Sequence, residues 1–214
     1  GAAWLFGAFC VRRGGIYFAM LTLAVAQLLY AVAHQWYGVT GGDNGIVGVW
    51  PPPALAPAPR YYALTLLAGA LALWLLGRAA RSPFGLLLAA ARDHPARAEA
   101  LGVNVRAQRL LGFVLSGAAA GLAGGLFAFL KGSVFPSYLG IPLSVEGLIM
   151  ILLGGIESLE GAAVGAGLFK GLDALVGQVT DYWQAILGAL LLALVLLFPR
   201  GLAPALLGGR WKDG

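Results

Sequence analysis

Few residues of this sequence have side chains that could do chemistry, and their spacing argues against an enzyme. Glu157 and Glu160 form a potential carboxylate pair, but no base or nucleophile accompanies them. His34 and His94 are far apart, and neither an HExxH pair nor a CxxC motif is present to indicate a metal site. The P-loop pattern G-x-x-x-x-G-K-[S/T] is also missing. The sequence therefore predicts no catalytic site, no metal site and no cofactor bound by this chain.

Two further polar positions lie in apolar stretches, where a charge or an amide needs a partner. Lys170 and Asp173 are one helical turn apart, and we expect them to pair with each other. Gln27 lies in the middle of an uncharged run, where it either lines a polar cavity or bonds between two helices. Cys10 is the only cysteine, so no disulfide can form within the chain.

The elements that hold these residues are those of a membrane protein. Of the 214 residues, 60% are hydrophobic and 11% are charged, whereas a soluble domain carries about 25% charged residues. A transmembrane helix needs about 20 apolar residues. The composition predicts an all-α, polytopic integral membrane protein with about six to seven transmembrane or half-membrane helices. Four uncharged runs support this prediction: Ile16–Ala33, Tyr61–Gly77, Leu110–Leu130 and Trp183–Phe198.

Two segments between the runs cannot be single regular helices. Residues 38–60 contain five prolines, which indicates a loop of appreciable size. Residues 145–179 are apolar but interrupted by glycines and two glutamates, so we expect two short helices. The interruption is either an ordinary turn at the membrane face or a broken helix that lines a cavity.

The positive residues predict how the chain is oriented. Six arginines lie between the second and third runs, which places residues 78–109 in the cytoplasm by the positive-inside rule. Alternation of the spans then puts the proline-rich loop outside, and the turn at Arg12 and Arg13 and the C-terminal tail inside. Eleven Lys and Arg residues fall inside and two outside, with Lys170 within a span.

Small residues at helical spacing predict close helix packing. Gly117, Gly121 and Gly125 lie on one face of the third run, and Gly161 and Gly165 repeat the spacing in the interrupted segment. Such a face either packs within the molecule or forms an interface with another subunit or a moving surface. The pattern alone leaves both interpretations open.

The basic segment 78–109 contains the most distinctive pattern. Ser82 and Pro83 predict a helix start, with Ser82 as the N-cap. A second, short helix follows over Pro95–Leu101, closed by Gly102. Because isolated helices of this length are marginal in water, we expect this helix to dock into another protein. The alternative is a positively charged loop that only fixes the topology.

A polar, glycine-rich stretch follows the first complete span on the side predicted to be outside. Its residues are Thr40, Gly41, Gly42, Asp43 and Asn44. Asp and Asn side chains bond to nearby backbone, so the stretch can be a simple turn. The alternative is a contact with a transported molecule at the outer mouth, to which Gln27 would also belong.

These motifs together resemble a known family. The strings RRGGIYFAMLTLAVAQ, VTGGDNGIVGV, RSPFGLLLAAARDHPARAEALGVNV, LLGGIESLEGAAVGAG and FPRGL are similar, in this order, to the LivM-type permeases of branched-chain amino-acid ABC importers. The resemblance extends from about Arg12 to Leu202 and implies a single membrane-embedded permease domain over residues 1–214. Family members normally have additional N-terminal helices.

The resemblance implies partners and a role for the basic segment. The partners would be a LivH-type permease, two cytoplasmic ATPases that bind ATP and Mg²⁺, a periplasmic substrate-binding protein and the lipid of a bacterial inner membrane, with no nucleic acid. Within the coupling loop 78–109, the residues expected to seat in an ATPase are Arg92, Asp93, Pro95, Glu99, Ala100, Leu101 and Gly102.

Three alternatives to leucine, isoleucine and valine import stay open at this point. Urea and short-amide importers have closely similar permeases. A passive channel for small solutes would need neither ATPases nor a docking helix. A purely structural membrane subunit would have no pathway of its own.

Overall fold

The computed structural model describes residues 2–12, 15–55, 57–155 and 159–176, together with Gly188. Apart from Gly188, the predicted fourth run lies outside these residues. So do Arg13, Glu157 and the basic residues of the C-terminal tail, Arg200, Arg210 and Lys212. The chain divides into two compact units, residues 1–140 and 141–214. Each unit is described by itself.

Three helices of the described chain are long and apolar enough to cross a membrane. They are α2 (Ile16–Gln35), α4 (Ala58–Ala80) and α7 (Val105–Lys131). Each contains one of the first three predicted runs, so the prediction of an all-α, polytopic membrane protein is confirmed. The helix α4 starts before Arg60, where the loop was predicted to end, because Pro59 fits in a first helical turn.

Shorter elements connect these spans in the first unit. The helices are α1 (Ala2–Cys10), α3 (Tyr37–Thr40), α5 (Pro83–Asp93) and α6 (Pro95–Ala100). Three 3₁₀ turns are formed by Gly42–Asn44, Pro53–Leu55 and Pro136–Leu139. Two short strands, β1 (Ile46–Val47) and β2 (Ser133–Val134), pair antiparallel, with Ile46 opposite Val134.

Contacts at the two ends of the spans agree with the alternation used to orient the chain. At one end, β1 in the proline-rich loop pairs with β2 after α7, and the buried Tyr61 hydroxyl donates to the Leu126 carbonyl. At the other end, Arg109 Nη2 donates to the Ala91 carbonyl of α5 over 3.2 Å. The proline-rich loop and the segment after α7, which are predicted to lie on the same side of the membrane, are thus joined to each other. Which end faces the cytoplasm stays a prediction.

The second unit contains the helical hairpin predicted for the interrupted segment. Its helices are α8 (Ile141–Gly154) and α9 (Leu159–Val176). At the crossing, a Cβ on Gly165 would collide with the Met150 carbonyl, and one on Gly154 with the Gly161 carbonyl. Backbones this close require glycine. Gly161 and Gly165 thus lie where α9 crosses α8 within this unit.

Among the described residues, only part of the glycine face of α7 packs against another helix. A Cβ on Gly117 would lie 2.6 Å from the Ala3 side chain of α1. A Cβ on Gly121 or Gly125 would meet nothing within 4 Å in the described part of the chain. One glycine of the predicted face thus packs on α1, and the other two remain without a neighbour among the described residues.

Candidate functional site

The predicted docking segment is built on a small apolar cluster beneath α6. Ala98 is buried, and it packs with Ala91 at the end of α5 and Val105 at the start of α7. Val103 covers the same cluster. The short helix is therefore not isolated, since one side rests on two neighbouring helices.

The end of α6 is fixed by a hydrogen-bonded cap. The Gly102 amide donates to the Glu99 carbonyl over 2.9 Å, and the Val103 amide donates to the Ala98 carbonyl over 3.0 Å. Gly102 has φ +83°, so the chain turns through the left-handed region. This pair of bonds with an apolar contact between Val103 and Ala98 is a Schellman motif. The predicted closure by Gly102 is confirmed, with α6 ending at Ala100 instead of Leu101.

The residues predicted to contact an ATPase all lie on the exposed side of this segment. Leu101 has 79% of its surface exposed, although it is a large apolar residue. Arg92 Nε donates to Asp93 Oδ1 over 2.9 Å, and both side chains are exposed. The exposed set is Arg92, Asp93, Pro95, Glu99, Ala100, Leu101 and Gly102. The structure thus brings these residues together on one surface and leaves them available to a partner.

The two helices that flank α6 start differently, since only one of them has a hydrogen bond from its N-cap side chain. The Asn104 side chain accepts a hydrogen bond from the Ala107 amide over 3.1 Å and so caps α7. Ser82 occupies the N-cap position of α5, but its hydroxyl donates back to the Ala79 carbonyl over 2.6 Å. The prediction of Ser82 as the N-cap and Pro83 as the first helical residue is therefore confirmed. The Ser82 side chain makes no cap hydrogen bond, because α4 ends just before it and supplies a nearer acceptor.

The stretch Thr40–Asn44 forms a compact turn at the other end of the first unit. The Thr40 hydroxyl lies 2.5 Å from the Ala33 carbonyl and 2.8 Å from the Trp36 carbonyl. The Gly41 carbonyl accepts from the Asn44 amide over 3.2 Å. These bonds support the simple-turn interpretation, although they do not occupy every polar group.

One carboxylate of this turn forms a contact that sequence spacing did not indicate. Asp43 Oδ1 lies 3.5 Å from His34 Nδ1 at the end of α2, and the His34 ring stacks on Tyr30. The Asp43 side chain is still 80% exposed. Gln27, seven residues before His34, is half-buried, and its amide makes no hydrogen bond to the described residues. These polar groups are candidates for contact with a transported molecule.

The second unit contains a charged cluster in its helical hairpin. Lys170 Nζ lies 3.6 Å from Asp173 Oδ2, so the predicted pair is present. It also donates to Glu146 Oε1 of α8 over 2.5 Å. Sequence spacing did not reveal Glu146, because it meets Lys170 only after the hairpin folds. One ammonium group thus stands between two carboxylates and ties α8 to α9.

No cluster suited to a metal ion occurs in the part of the chain that the structure describes. There, no group of three or more His, Cys, Asp or Glu side chains could hold one. The first unit thus has an exposed surface around α6 at one end of its spans and a polar turn at the other.

Comparison with known proteins gives a consistent result. The family described as "Branched-chain amino acid transport system / permease component" matches residues 1–195. The branched-chain amino acid permease LivM of Escherichia coli K12 is 28% identical over 95% of this chain and 54% of its own length. The LivM permease of Salmonella typhimurium gives the same identity and coverage. The chain thus spans about half the length of these relatives.

Two other relatives cover less of the chain. The probable LivH permease of Methanocaldococcus jannaschii is 27% identical over 62% of this chain and 43% of its own length. The autoinducer 2 import permease LsrC of Escherichia coli O9:H4 is 32% identical over 67% of this chain and 43% of its own length. No solved structure gives a significant match.

Proposed function

We propose that this chain, which belongs to the family of permease components of branched-chain amino acid transport systems, is the membrane-spanning subunit of an ATP-driven importer. Its substrates would be leucine, isoleucine and valine. Residues 1–195 match that family, and three apolar helices make the chain a multi-pass membrane protein. The similarity to two LivM permeases over 95% of the chain supports this substrate class. A permease component is not itself an enzyme.

The exposed surface around α6 is the observation that carries the coupling mechanism. We infer that Arg92–Gly102 seats in a cleft of a cytoplasmic ATPase, with Leu101 as its apolar contact. Because Ala98 packs against both α5 and α7, a push on this surface is passed to the spans by packed side chains. ATP and Mg²⁺ would be bound by the ATPase partners and not by this chain.

Transport requires two arrangements of the spans, one open to each side of the membrane. Closure of two ATPases around ATP would shift the population between these arrangements. At the opposite end, Thr40, Gly41, Gly42, Asp43 and Asn44 would meet the substrate or the binding protein that delivers it. Gln27 would then face the pathway with its unbonded amide.

The proposed assembly follows from the family and from the charge distribution. It contains a LivH-type permease, two ABC ATPases and a periplasmic substrate-binding protein in a bacterial inner membrane. The positive residues support a cytoplasmic position for residues 78–109 and for the C-terminus.

Autoinducer 2 import is a second candidate function. The LsrC permease is 32% identical over 67% of the chain, a higher identity over a shorter region than LivM shows. Substrate would distinguish the two, since both would use the same docking surface.

The test is recovery and reconstitution of the complete assembly. The tagged full-length protein is purified in mild detergent, and the complex is assayed in proteoliposomes for uptake of leucine, urea and autoinducer 2. We expect co-purified ATPase and ATP-dependent leucine uptake. Uptake of urea or autoinducer 2 instead would keep the importer and change its substrate. Absence of ATPase with passive uptake would favour a channel, and absence of any uptake would favour a structural subunit.

A pair of variants tests the docking surface in the same preparation. Leu101→Asp places a charge on the proposed ATPase contact and should reduce ATPase recovery about tenfold or more. Val47→Asp is the matched control, because Val47 is 71% exposed at the other end of the spans. Equal ATPase recovery with both variants would contradict docking through this surface.

A further inference from the structure

A cavity of about 370 Å³ lies beside the start of α7, at the end of the spans predicted to face the cytoplasm. Val11 at the end of α1 and Gly15 at the start of α2 form one wall, and α5 and α7 form the others. Its lining is largely apolar, with the rings of Phe18 and Phe113 and the side chain of Leu88. Gly112 adds space, since even a Cβ there would lie only 3.2 Å from Leu88. The volume is in the range of small-molecule sites, which begins at about 300 Å³.

Among the described residues of this lining, Arg109 is the one that carries a charge. Its single hydrogen bond, to the Ala91 carbonyl, uses one of five N–H donors. Among the described residues, no carboxylate lies within ion-pair distance of it. Ser116, also in the lining, has its hydroxyl bonded to the Phe113 carbonyl over 2.9 Å. The cavity therefore combines an apolar wall with one uncompensated guanidinium.

Two further arginines increase the positive charge near the cavity. Arg12 follows the lining residue Val11, and Arg106 precedes Arg109 by nearly one turn on the same face of α7. Both are exposed and have no carboxylate partner among the described residues. A ligand that fits must bring an anionic group to the arginines and an apolar group to the rings.

We propose that this cavity binds an anionic phospholipid of the inner leaflet. The phosphate would lie on the Arg109 guanidinium, which matches its oxygens geometrically, and the first part of an acyl chain would lie against Phe18, Leu88 and Phe113. Basic pockets between membrane helices on the cytoplasmic side are suited to such headgroups. The inference requires the membrane orientation but not the identity of the transported substrate.

Lipid at this site would also act on the docking segment. The Arg109 guanidinium that would hold the phosphate also bonds to Ala91, which lies in the apolar cluster under α6. A bound phosphate would order this guanidinium and so strengthen the packing of α5 on α7. Anionic lipid would therefore stabilise the surface proposed to meet the ATPase.

The experiment measures lipid binding to the full-length protein with its partner subunits in mild detergent. Phosphatidylglycerol and phosphatidylcholine are titrated separately and followed by native mass spectrometry. We expect Arg109→Gln to weaken phosphatidylglycerol binding about tenfold or more. Arg78→Gln is the matched control, because Arg78 stands at the same end of the spans, over the Trp74 ring and outside the cavity lining.

A second variant keeps the test decisive if Arg109→Gln does not fold. Ser116→Leu narrows the cavity without changing its charge and should also weaken phosphatidylglycerol binding. Unchanged binding in either folded variant, or equal loss in Arg78→Gln, would overturn the proposal. Absence of phosphatidylglycerol binding to the wild type would also overturn the proposal. That result is expected if another segment of the full-length protein fills the cavity. Equal affinity for inorganic phosphate would show an anion site without a lipid.

Discussion

Gly102 shows how one backbone angle sets the shape of the proposed docking surface. Its φ of +83° lets the chain leave α6 at once, so that Val103 returns to the cluster around Ala98. An L-residue in this conformation is less stable by about 1–2 kcal/mol. Because a Cβ on Gly102 would meet no described atom within 4 Å, backbone strain is the main effect expected of a small substitution within this chain.

Gly102→Ala should therefore loosen the end of α6 without steric collision. We expect leucine uptake in proteoliposomes to fall severalfold relative to ATP hydrolysis, because the displaced surface transmits less of the ATPase motion. Gly69→Ala is the control, since Gly69 lies inside α4 with no described atom within 4 Å of an added Cβ and no positive φ. An unchanged ratio of uptake to hydrolysis in Gly102→Ala would show that the cap has no part in coupling.

In the α8–α9 hairpin, glycine is required on the face of α9 that lies against α8 and not on the face that carries Gly167. A Cβ on Gly165 would collide with the Met150 carbonyl, whereas one on Gly167 would meet no described atom within 4 Å. The two positions share the same helix and the same residue type. They differ only in whether the backbone of α8 lies against them.

Gly165→Ala and Gly167→Ala should consequently change stability in opposite directions. Overpacking at Gly165 should lower the free energy of unfolding by about 1–3 kcal/mol, while Gly167→Ala should raise it by up to about 1 kcal/mol through helix propensity. Thermal unfolding of the detergent-purified protein measures both. Equal shifts for the two variants would place the close crossing elsewhere in α9.

The sequence predicted these elements better than it predicted their contacts. Three uncharged runs and two breaks gave α2, α4, α7 and the α8–α9 hairpin, because length and apolar composition are local properties. Of the two carboxylates that pair with Lys170, the sequence indicated Asp173, which is one turn away. It did not indicate Glu146, because that residue approaches from another helix. Ser82 was correctly predicted as the N-cap of α5, but the bond of its hydroxyl to the Ala79 carbonyl at the end of α4 was not visible in the sequence.

The candidate site was predictable to a similar extent. Proline and glycine at the two ends of α6 are local signals, and they predicted the bounds of this helix to within one residue. Its support was not visible, because the contact of Ala98 with Ala91 and Val105 and the bond from Arg109 to Ala91 join separate helices. The cavity beside Arg109 was missed for the same reason, as its walls come from three parts of the chain.

The orientation of the first unit in the membrane is inferred from contacts at the ends of its spans and from the positions of its positive residues. The bonds between β1 and β2 put the proline-rich loop and the end of α7 together, while the bond from Arg109 to Ala91 lies within residues 78–109 at the other end. The positive residues then assign the second end to the cytoplasm. If the assignment is correct, Ala100 and Val47 face opposite sides of the membrane.

Single-cysteine variants test this assignment in intact cells. Cys10, which is buried, is first replaced by Ser, and Ala100→Cys and Val47→Cys are introduced separately into the full-length protein. A membrane-impermeant thiol reagent should label Val47→Cys in cells and Ala100→Cys only after the membrane is opened. Both positions are exposed in the structure, so access to the reagent, and not burial, decides the labelling. The reverse pattern would invert the molecule, and an ATPase could then no longer reach α6 from the cytoplasm.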